Sequence, residues 1–427
     1  MSSFDGNKVL IITYYWPPSG GAGVQRWLKF SKYLPEYGWE PLILTVDPAY
    51  AAYPVTDFSL NDDLPSSVKV YTTPATNYFT IYRKDKSKIP TAGFANNIDN
   101  SFKGKIFRFV RGNFFLPDPR RGWNKFAFRK ASELINKEGI THIVTTSPPH
   151  STQLIGLKLK RRFPMVKWIA DLRDPWTDIY YYHQFYPTIL SKVIDERYEK
   201  SVLRKADKII TVGESLKAAF SSKGKGISEK TFVVTNGYDE SDFNLTPAVI
   251  PAKLTITYVG TLSDIYPVES LVLALKKLAV SGKDFTMRFV GTISDKSKEL
   301  VLADIPGSFL DFLPYVAHNE AIKYMKSSSF LILIIPSHSS NKSIITGKLF
   351  EYIASGIPIV YIGPPDGDAA HIIQSSASGS IFDYHEGGRI SDFMEKHQDT
   401  QETRNSNEKL KYSRKNLTGI IAEILNS

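Results

Sequence analysis

Short, continuous apolar runs recur along this chain with helical patterns between them, and that alternation admits few architectures. KVLIITYYW (8–16), EPLILTVD (40–47), THIVTTSPP (141–149), MVKWIADL (165–172), KIITVG (208–213) and TFVVTNG (231–237) form a first series. Runs of this kind fit parallel strands covered on both faces rather than strands with one wet side. Helical spacing fills two of the gaps, VQRWLKFSKYLPEYG (24–38), with Gly38 as a stop, and residues 190–206. Residues 61–121 break the rhythm and are expected to be an insertion.

A second series starts after NLTPAVIPAK (244–253), whose two prolines mark a linker. LTITYVG (254–260), FTMRFVG (285–291), DFLPYV (311–316), FLILIIP (330–336), IPIVYIG (357–363) and GSIFDY (379–384) supply its strands. Helical patterns lie at about 268–281, 318–327 and 347–355. A chain of 427 residues is too long for one core and suits two domains. The expectation is an α/β protein with two doubly wound Rossmann-like domains facing a central cleft, where open sheets take ligands. The first spans 1–245, the second 252–405, and 406–427 is a C-terminal helix expected to pack back on the first.

Hydrophobic content of 42% and charged content of 22% belong to an ordinary globular chain. No apolar run reaches the ~20 residues of a spanning helix, and the first residues lack the order of a secretion signal. With no cysteine there is no disulfide or thiol chemistry, and a cytoplasmic location is expected. The net charge of +10 is concentrated in 101–130. There Lys103, Lys105, Arg108, Arg111, Arg120, Arg121, Lys125, Arg129 and Lys130 interleave with aromatics such as Phe102, Phe109, Phe114 and Trp123. An anionic membrane surface, a single-stranded nucleic acid, or a helical excursion with its aromatics in the core all fit that mixture.

Three stretches carry candidate chemistry. TGKLFEYIASGIPIV (346–360) sets Lys348 and Glu351 three residues apart where a helix begins, so both lie on one face. A lysine suits a phosphate and a carboxylate accepts from sugar hydroxyls, with Thr346-Gly347 offering free amides at the dipole's positive end. A plain surface ion pair accounts for the same two residues. After the first strand, YYWPPSGGAGVQR brings Gly20, Gly21 and Gly23 before a helix. A dinucleotide fingerprint is disfavoured, because Arg26 stands where its third glycine belongs and residues 16–19 separate strand from glycines. SPPHS (147–151) puts His150 at a strand end, able to accept a hydrogen bond from a sugar hydroxyl or a proton near neutral pH. ADLRDPWTD (170–178) supplies Arg173, Asp174 and Trp176; buried acid–arginine pairing explains the same block.

In this order the motifs resemble the GT-B glycosyltransferases of family 4, in a Lys-x-x-Glu-Tyr form, over nearly the whole chain. The glycine loop, His150, DLRDPW, NGYDESDF (236–243), YVGTL (258–262) and GKLFEYIASGIPIV carry the likeness. The resemblance implies transfer of a hexosyl or N-acetylhexosaminyl group from a nucleotide-sugar donor, with retention at the anomeric carbon. The acceptor would be a glycan or lipid-linked acceptor of surface polysaccharide or glycoconjugate synthesis. By matching position Glu351 takes the ribose, Lys348 the diphosphate together with Gly260, Thr261, Thr346 and Gly347, and Gly20–Gly21 approach the phosphates. His150, Arg173 and Asp174 would be catalytic.

Two departures stand out. Ser343 occupies the position, eight residues before Glu351, where many members carry a second glutamate. The turn GTLSDIYPVE lacks the usual cations, leaving Lys348 as the principal one, with Arg26 or Arg173 available from the first domain. Aimed cations and amides suffice for a departing diphosphate, so no metal or other cofactor is expected. The alternatives are a sugar-nucleotide epimerase of related fold and a non-catalytic membrane- or nucleic-acid-binding protein. Peripheral membrane contact through 101–130 is compatible with the transferase reading; nucleic acid is the less favoured partner.

Overall fold

In the computed structural model of the protein, residues 7–61, 63–76, 78, 101–244, 246–247, 249–397 and 407–427 are described. The chain divides into two compact units, Met1–Thr235 with Arg414–Ser427, and Asn236–Ser413. The division falls before the proline-bearing stretch expected to be the linker. Residues after 236 already serve the second unit, since Tyr238 and Phe243 are buried in one of its cores.

The first unit is built on β1 (Asn7–Ile12), β2 (Trp39–Val46), β3 (Lys69–Thr73), β4 (His142–Ser147), β5 (Lys167–Leu172), β6 (Lys208–Thr211) and β7 (Thr231–Val233). Among the described residues they form one parallel sheet in the order β3-β2-β1-β4-β5-β6-β7. The uniform apolarity of the strands has a direct cause. Successive side chains point to opposite faces, so Leu10 and Ile12 enter one core with Trp123 and Trp168. Val9 and Ile11 enter another with Trp27 and Leu28. That second core also takes Leu417, Ile421, Ile424 and Leu425 of the helix Arg414–Asn426, so the chain's end packs in the first unit. Trp39 Nε1 donates to Asn426 Oδ1 at 3.2 Å and Tyr37 Oη to the Lys415 carbonyl at 2.9 Å.

The second unit holds β8 (Leu254–Val259), β9 (Phe285–Val290), β10 (Leu310–Leu313), β11 (Phe330–Ile334), β12 (Ile359–Ile362) and β13 (Gly379–Phe382). They too are parallel, in the order β10-β9-β8-β11-β12-β13. Again the faces alternate, with Ile332 and Ile334 in one core and Leu331 and Leu333 in the other. In each sheet the strand order reverses at one place, between β1 and β4 and between β8 and β11. Such switch points are where chain crossings part and leave a crevice beyond the strands' carboxyl ends.

The expected insertion 61–121 is not all excursion. Its segment Lys69–Thr73 pairs with β2 as the edge strand β3, overlooked because Lys69 and Thr72 face solvent and dilute the apolar signal. The part of the expected insertion at 79–100 lies outside the described residues.

The first sheet is organised around a buried ion pair. Arg26 Nη2 lies 3.0 Å from Asp171 Oδ1, with both side chains fully buried. Removing one member of such a pair leaves an uncompensated buried charge and costs about 3–5 kcal/mol. Asp171→Ala is therefore expected to lower the unfolding free energy of the first unit by that amount in urea denaturation; a loss below about 1 kcal/mol would contradict this account.

Candidate functional site

At the first switch point, the loop after β1 leads into the helix Ala22–Tyr33. Gly20 is held by the 55–57 segment: its N–H donates to the Val55 carbonyl at 2.9 Å, and a Cβ would lie 3.1 Å from Val55. That amide is spent, so Gly20 serves the loop rather than a phosphate. Gly21 caps the helix at φ 100°, a conformation that favours glycine. Arg26 is not a phosphate cation either, contrary to expectation. It is wholly buried, bound to Asp171 and donating to the carbonyls of Val234 and Thr235 at 2.9 and 2.8 Å. Asp171 also accepts from Trp27 Nε1 and Thr146 Oγ1, both at 2.7 Å.

Arg173, two residues on, is the cation left at this place. Its guanidinium donates to the carbonyls of Ser147 and Gly23, each at 3.0 Å. It thus adds positive charge beside a helix N-terminus whose first amides have no intrahelical partner. Asp174 is half-buried, and burial raises its pKa against the pull of Arg173.

His150 opens a 3₁₀ turn, His150–Thr152, after β4. Its ring stacks on Trp176 at 4.8 Å and 12°, and Trp176 is fixed by donating its Nε1 to Asp195 at 2.8 Å. Burial pushes the His150 pKa down to about 4, outweighing Asp118 and a bond to the Pro175 carbonyl. Burial thus favours the neutral imidazole over a proton acceptor near neutral pH. Nδ1 is buried without a hydrogen-bond partner among the described residues. Nε2–H then serves Pro175, and the Nδ1 lone pair can accept from a hydroxyl.

His150, Asp174 and Trp176 line a pocket of about 830 Å³ of empty volume, part of it open to solvent. Tyr15, Arg111, Arg120 and Tyr181 share its wall. No spacing along the chain gathers these last four. Asp118 is the clamp: its carboxylate accepts from Ser151 N and Ser151 Oγ, each at 2.8 Å, and from Arg120 N at 2.9 Å.

In the second unit the expected residues do converge. The Lys348 ammonium donates to Tyr258 Oη at 2.8 Å and lies 4.1 Å from that ring's centroid. Tyr258 Oη in turn donates to the Thr261 carbonyl at 2.8 Å. Gly260, at φ 114°, lies close to the ammonium: a Cβ there would stand 3.2 Å from Lys348 Nζ. Gly291 escaped notice, although FVGT (289–292) repeats YVGT (258–261); a Cβ on it would fall 2.5 Å from the Gly260 carbonyl oxygen. Burial lowers the Lys348 pKa to about 7 despite Glu351.

Thr346 caps the helix Gly347–Ser355 with no side-chain capping bond, and its Oγ1 is buried without a partner among the described residues. The first amides of that helix are an open anion seat next to Lys348. One turn further, Glu351 Oε1 lies 3.1 Å from His318 Nε2. The neighbouring Tyr352 is fully buried and accepts the Val259 N–H at 2.9 Å, which holds this helix against the end of β8. Ser343 sits in a 3₁₀ turn, its Oγ donating to the Ser340 carbonyl at 3.1 Å.

The basic aromatic segment is divided. Trp123 and Leu116 are core, and Arg108 and Arg120 are buried. On the helix Phe102–Phe114, Phe102, Ile106 and Phe109 form an exposed i, i+4, i+7 stripe. Asn113 links it to the helix Ile189–Lys205 by accepting from Thr188 N at 2.7 Å, and there Ile189 and Leu190 are exposed. No helix among the described residues is long and apolar enough to cross a membrane.

Residues 88–242 match the model of Glycosyltransferase Family 4. Among curated proteins none matches the chain in sequence. Among solved structures it is similar to Anabaena Alr3699/HepE in complex with UDP, at 13% identity and TM-score 0.63, covering 98% of this chain and 99% of that one. A glycosyltransferase of Rickettsia africae matches at 16% identity and TM-score 0.59, over 99% and 100%. A structure titled a UDP-N-acetylglucosamine 2-epimerase of Listeria monocytogenes matches at 10% identity and TM-score 0.55, over 99% and 96%. The chain has the GT-B fold, two Rossmann-like units each built on a parallel sheet, and over residues 88–242 it is similar to family 4 glycosyltransferases.

Proposed function

We propose that the protein is a retaining glycosyltransferase that takes a hexosyl or N-acetylhexosaminyl group from a nucleotide-sugar and passes it to a glycan or lipid-linked acceptor. The observation that carries this is the second-unit seat. An ammonium, a close glycine backbone and an uncapped helix N-terminus meet there, with Glu351 one turn on for the ribose hydroxyls. Cleavage of a sugar–phosphate bond leaves charge on the diphosphate, and groups fixed in advance stabilise it without rearranging. Gly260, Thr261, Thr346, Gly347 and Lys348 fill that role, and the UDP bound by Alr3699/HepE supports a uridine nucleotide as the first donor to try.

From the first unit, Arg173 contributes a cation at the start of the helix Ala22–Tyr33, Gly21 opens that helix, and neutral His150 accepts from a sugar hydroxyl through Nδ1. Asp174, raised by burial, is the carboxyl available for proton traffic. The reaction is metal-independent in this reading, and the product feeds surface polysaccharide or glycoconjugate synthesis on the cytoplasmic side. The exposed stripe Phe102, Ile106 and Phe109, flanked by exposed Lys103 and Lys105, supports peripheral contact with an anionic membrane. The epimerase reading has the Listeria neighbour in its favour; donor incubated without acceptor would be converted by an epimerase and merely hydrolysed slowly by a transferase.

Lys348→Ala should lower kcat by about 10²–10³-fold, as loss of a transition-state donor does; a wild-type kcat would refute the assignment. The charged form of Lys348 binds the diphosphate, and its free pKa is near 7. UDP affinity should therefore be full below pH 7 and fall as pH rises, by up to about tenfold per unit. Titration calorimetry in Lys348→Ala should show this slope removed. Turnover should survive EDTA, and its abolition would sink the metal-free mechanism. Lys103→Glu with Lys105→Glu should weaken binding to anionic vesicles by about 1 kcal/mol per lysine or more. Unchanged vesicle binding would remove the membrane contact.

A further inference from the structure

A lysine and a glutamate three residues apart on one helix face ordinarily close into an ion pair. Elsewhere in this chain they do. Lys130 and Glu133, in the same order, lie 2.8 Å apart, and the reversed pairs Glu320–Lys323 and Glu408–Lys411 close at 2.6 and 3.0 Å. Lys348 and Glu351 do not pair with each other; each is drawn off to a side chain of another element. Lys348 Nζ donates to Tyr258 Oη of β8 at 2.8 Å. Glu351 Oε1 lies 3.1 Å from Nε2 of His318, the first residue of the helix His318–Lys326. A carboxylate only accepts, so Nε2 carries the proton and donates. The pull between the two charges is still present: burial lowers the Lys348 pKa, and Glu351 pushes it back up.

We propose that His318 is a positioning residue of the donor seat: it holds the Glu351 carboxylate off Lys348, so that the ammonium is left for the diphosphate and the carboxylate for the ribose hydroxyls. Were the pair closed, each charge would be spent on the other. His318 takes one of the roughly four acceptor positions of the carboxylate, which leaves places for two hydroxyls. The imidazole reaches Glu351 from a fixed base, because Ala321, Ile322 and Met325 of its helix share a core with Leu349, Phe350 and Ile353 of the helix Gly347–Ser355. The side chains of His318 and Glu351 are 41% and 24% exposed. A pair so open to water contributes little to folding, so what it fixes is the direction of the carboxylate. This role rests on Glu351 serving the ribose, as in the transferase reading.

The test is calorimetric titration of the full chain with whichever of UDP, GDP and ADP binds most tightly, and with the 2′-deoxy form of that nucleotide. Wild type should prefer the ribonucleotide by about 10–100-fold, the worth of a hydrogen bond to a charged group. Glu351→Ala should remove most of that preference. His318→Ala should cut it by about 3–10-fold, with the thermal midpoint of the protein unmoved. His318→Gln, whose side-chain amide donates from the same place, should restore it. A histidine with a merely structural role would weaken both nucleotides alike and leave their ratio where it was. A wild-type ratio in His318→Ala, with the ratio lost in Glu351→Ala, overturns the positioning role and leaves Glu351 at the ribose. No preference in wild type, or no binding of any nucleoside diphosphate, refutes the donor reading of Glu351 itself, and the positioning role falls with it.

Discussion

Asp171, a carboxylate with no exposed surface, ties the first unit together where its functional loops meet. It binds Arg26 and Trp27 of the helix after β1, and Thr146 near the end of β4, while Arg26 reaches on to the carbonyls after β7. Three crossings of the sheet are thereby locked at the switch point. Buried ion pairs seldom add net stability over an apolar substitute, because desolvation offsets their attraction. Their geometry is strict, however. Here that strictness sets where β5 ends, and so where Arg173, Asp174 and Trp176 emerge.

The consequences run outward from that lock. Arg173 lands on the first turn of the helix Ala22–Tyr33, and Trp176 becomes the platform for His150. The imidazole is stripped of water on that platform, which keeps it neutral and turns it into a hydrogen-bond acceptor. In the second unit, burial acts the same way on Lys348, with the opposite use. In the proposed donor seat, an ammonium close to its titration point would gain charge beside a diphosphate, so ligand and proton would bind together.

Much of this was legible because strand burial and helix starts leave local marks. Continuous apolar runs located twelve of the strands, and GKLFEYIASGIPIV located Lys348 and Glu351 on the face where they lie. The edge strand β3 left only a weak mark, since two of its five residues, Lys69 and Thr72, are exposed. Arg26 and Arg173 look alike as nearby cations in the sequence. Only the packing tells that one is consumed by Asp171 while the other stays beside a helix end. The basic run 101–130 divides in the same way, because Arg108 and Arg120 turn inward while Lys103, Lys105, Arg121, Lys125 and Arg129 stay exposed.

The sequence by itself determined two parallel-sheet units, the loops that end their strands, and the residue types of the proposed donor seat. Those properties follow from periodicity and from short-range spacing along one helix or one turn. Tertiary structure decided which polar groups are buried and which face outward, and therefore their charge. It gathered Tyr15, Arg111, Asp118, Arg120, His150 and Trp176, from four separate stretches of chain, around one pocket. Desolvation and long-range contact have no local signature, so protonation and pocket chemistry appear only once the chain is folded.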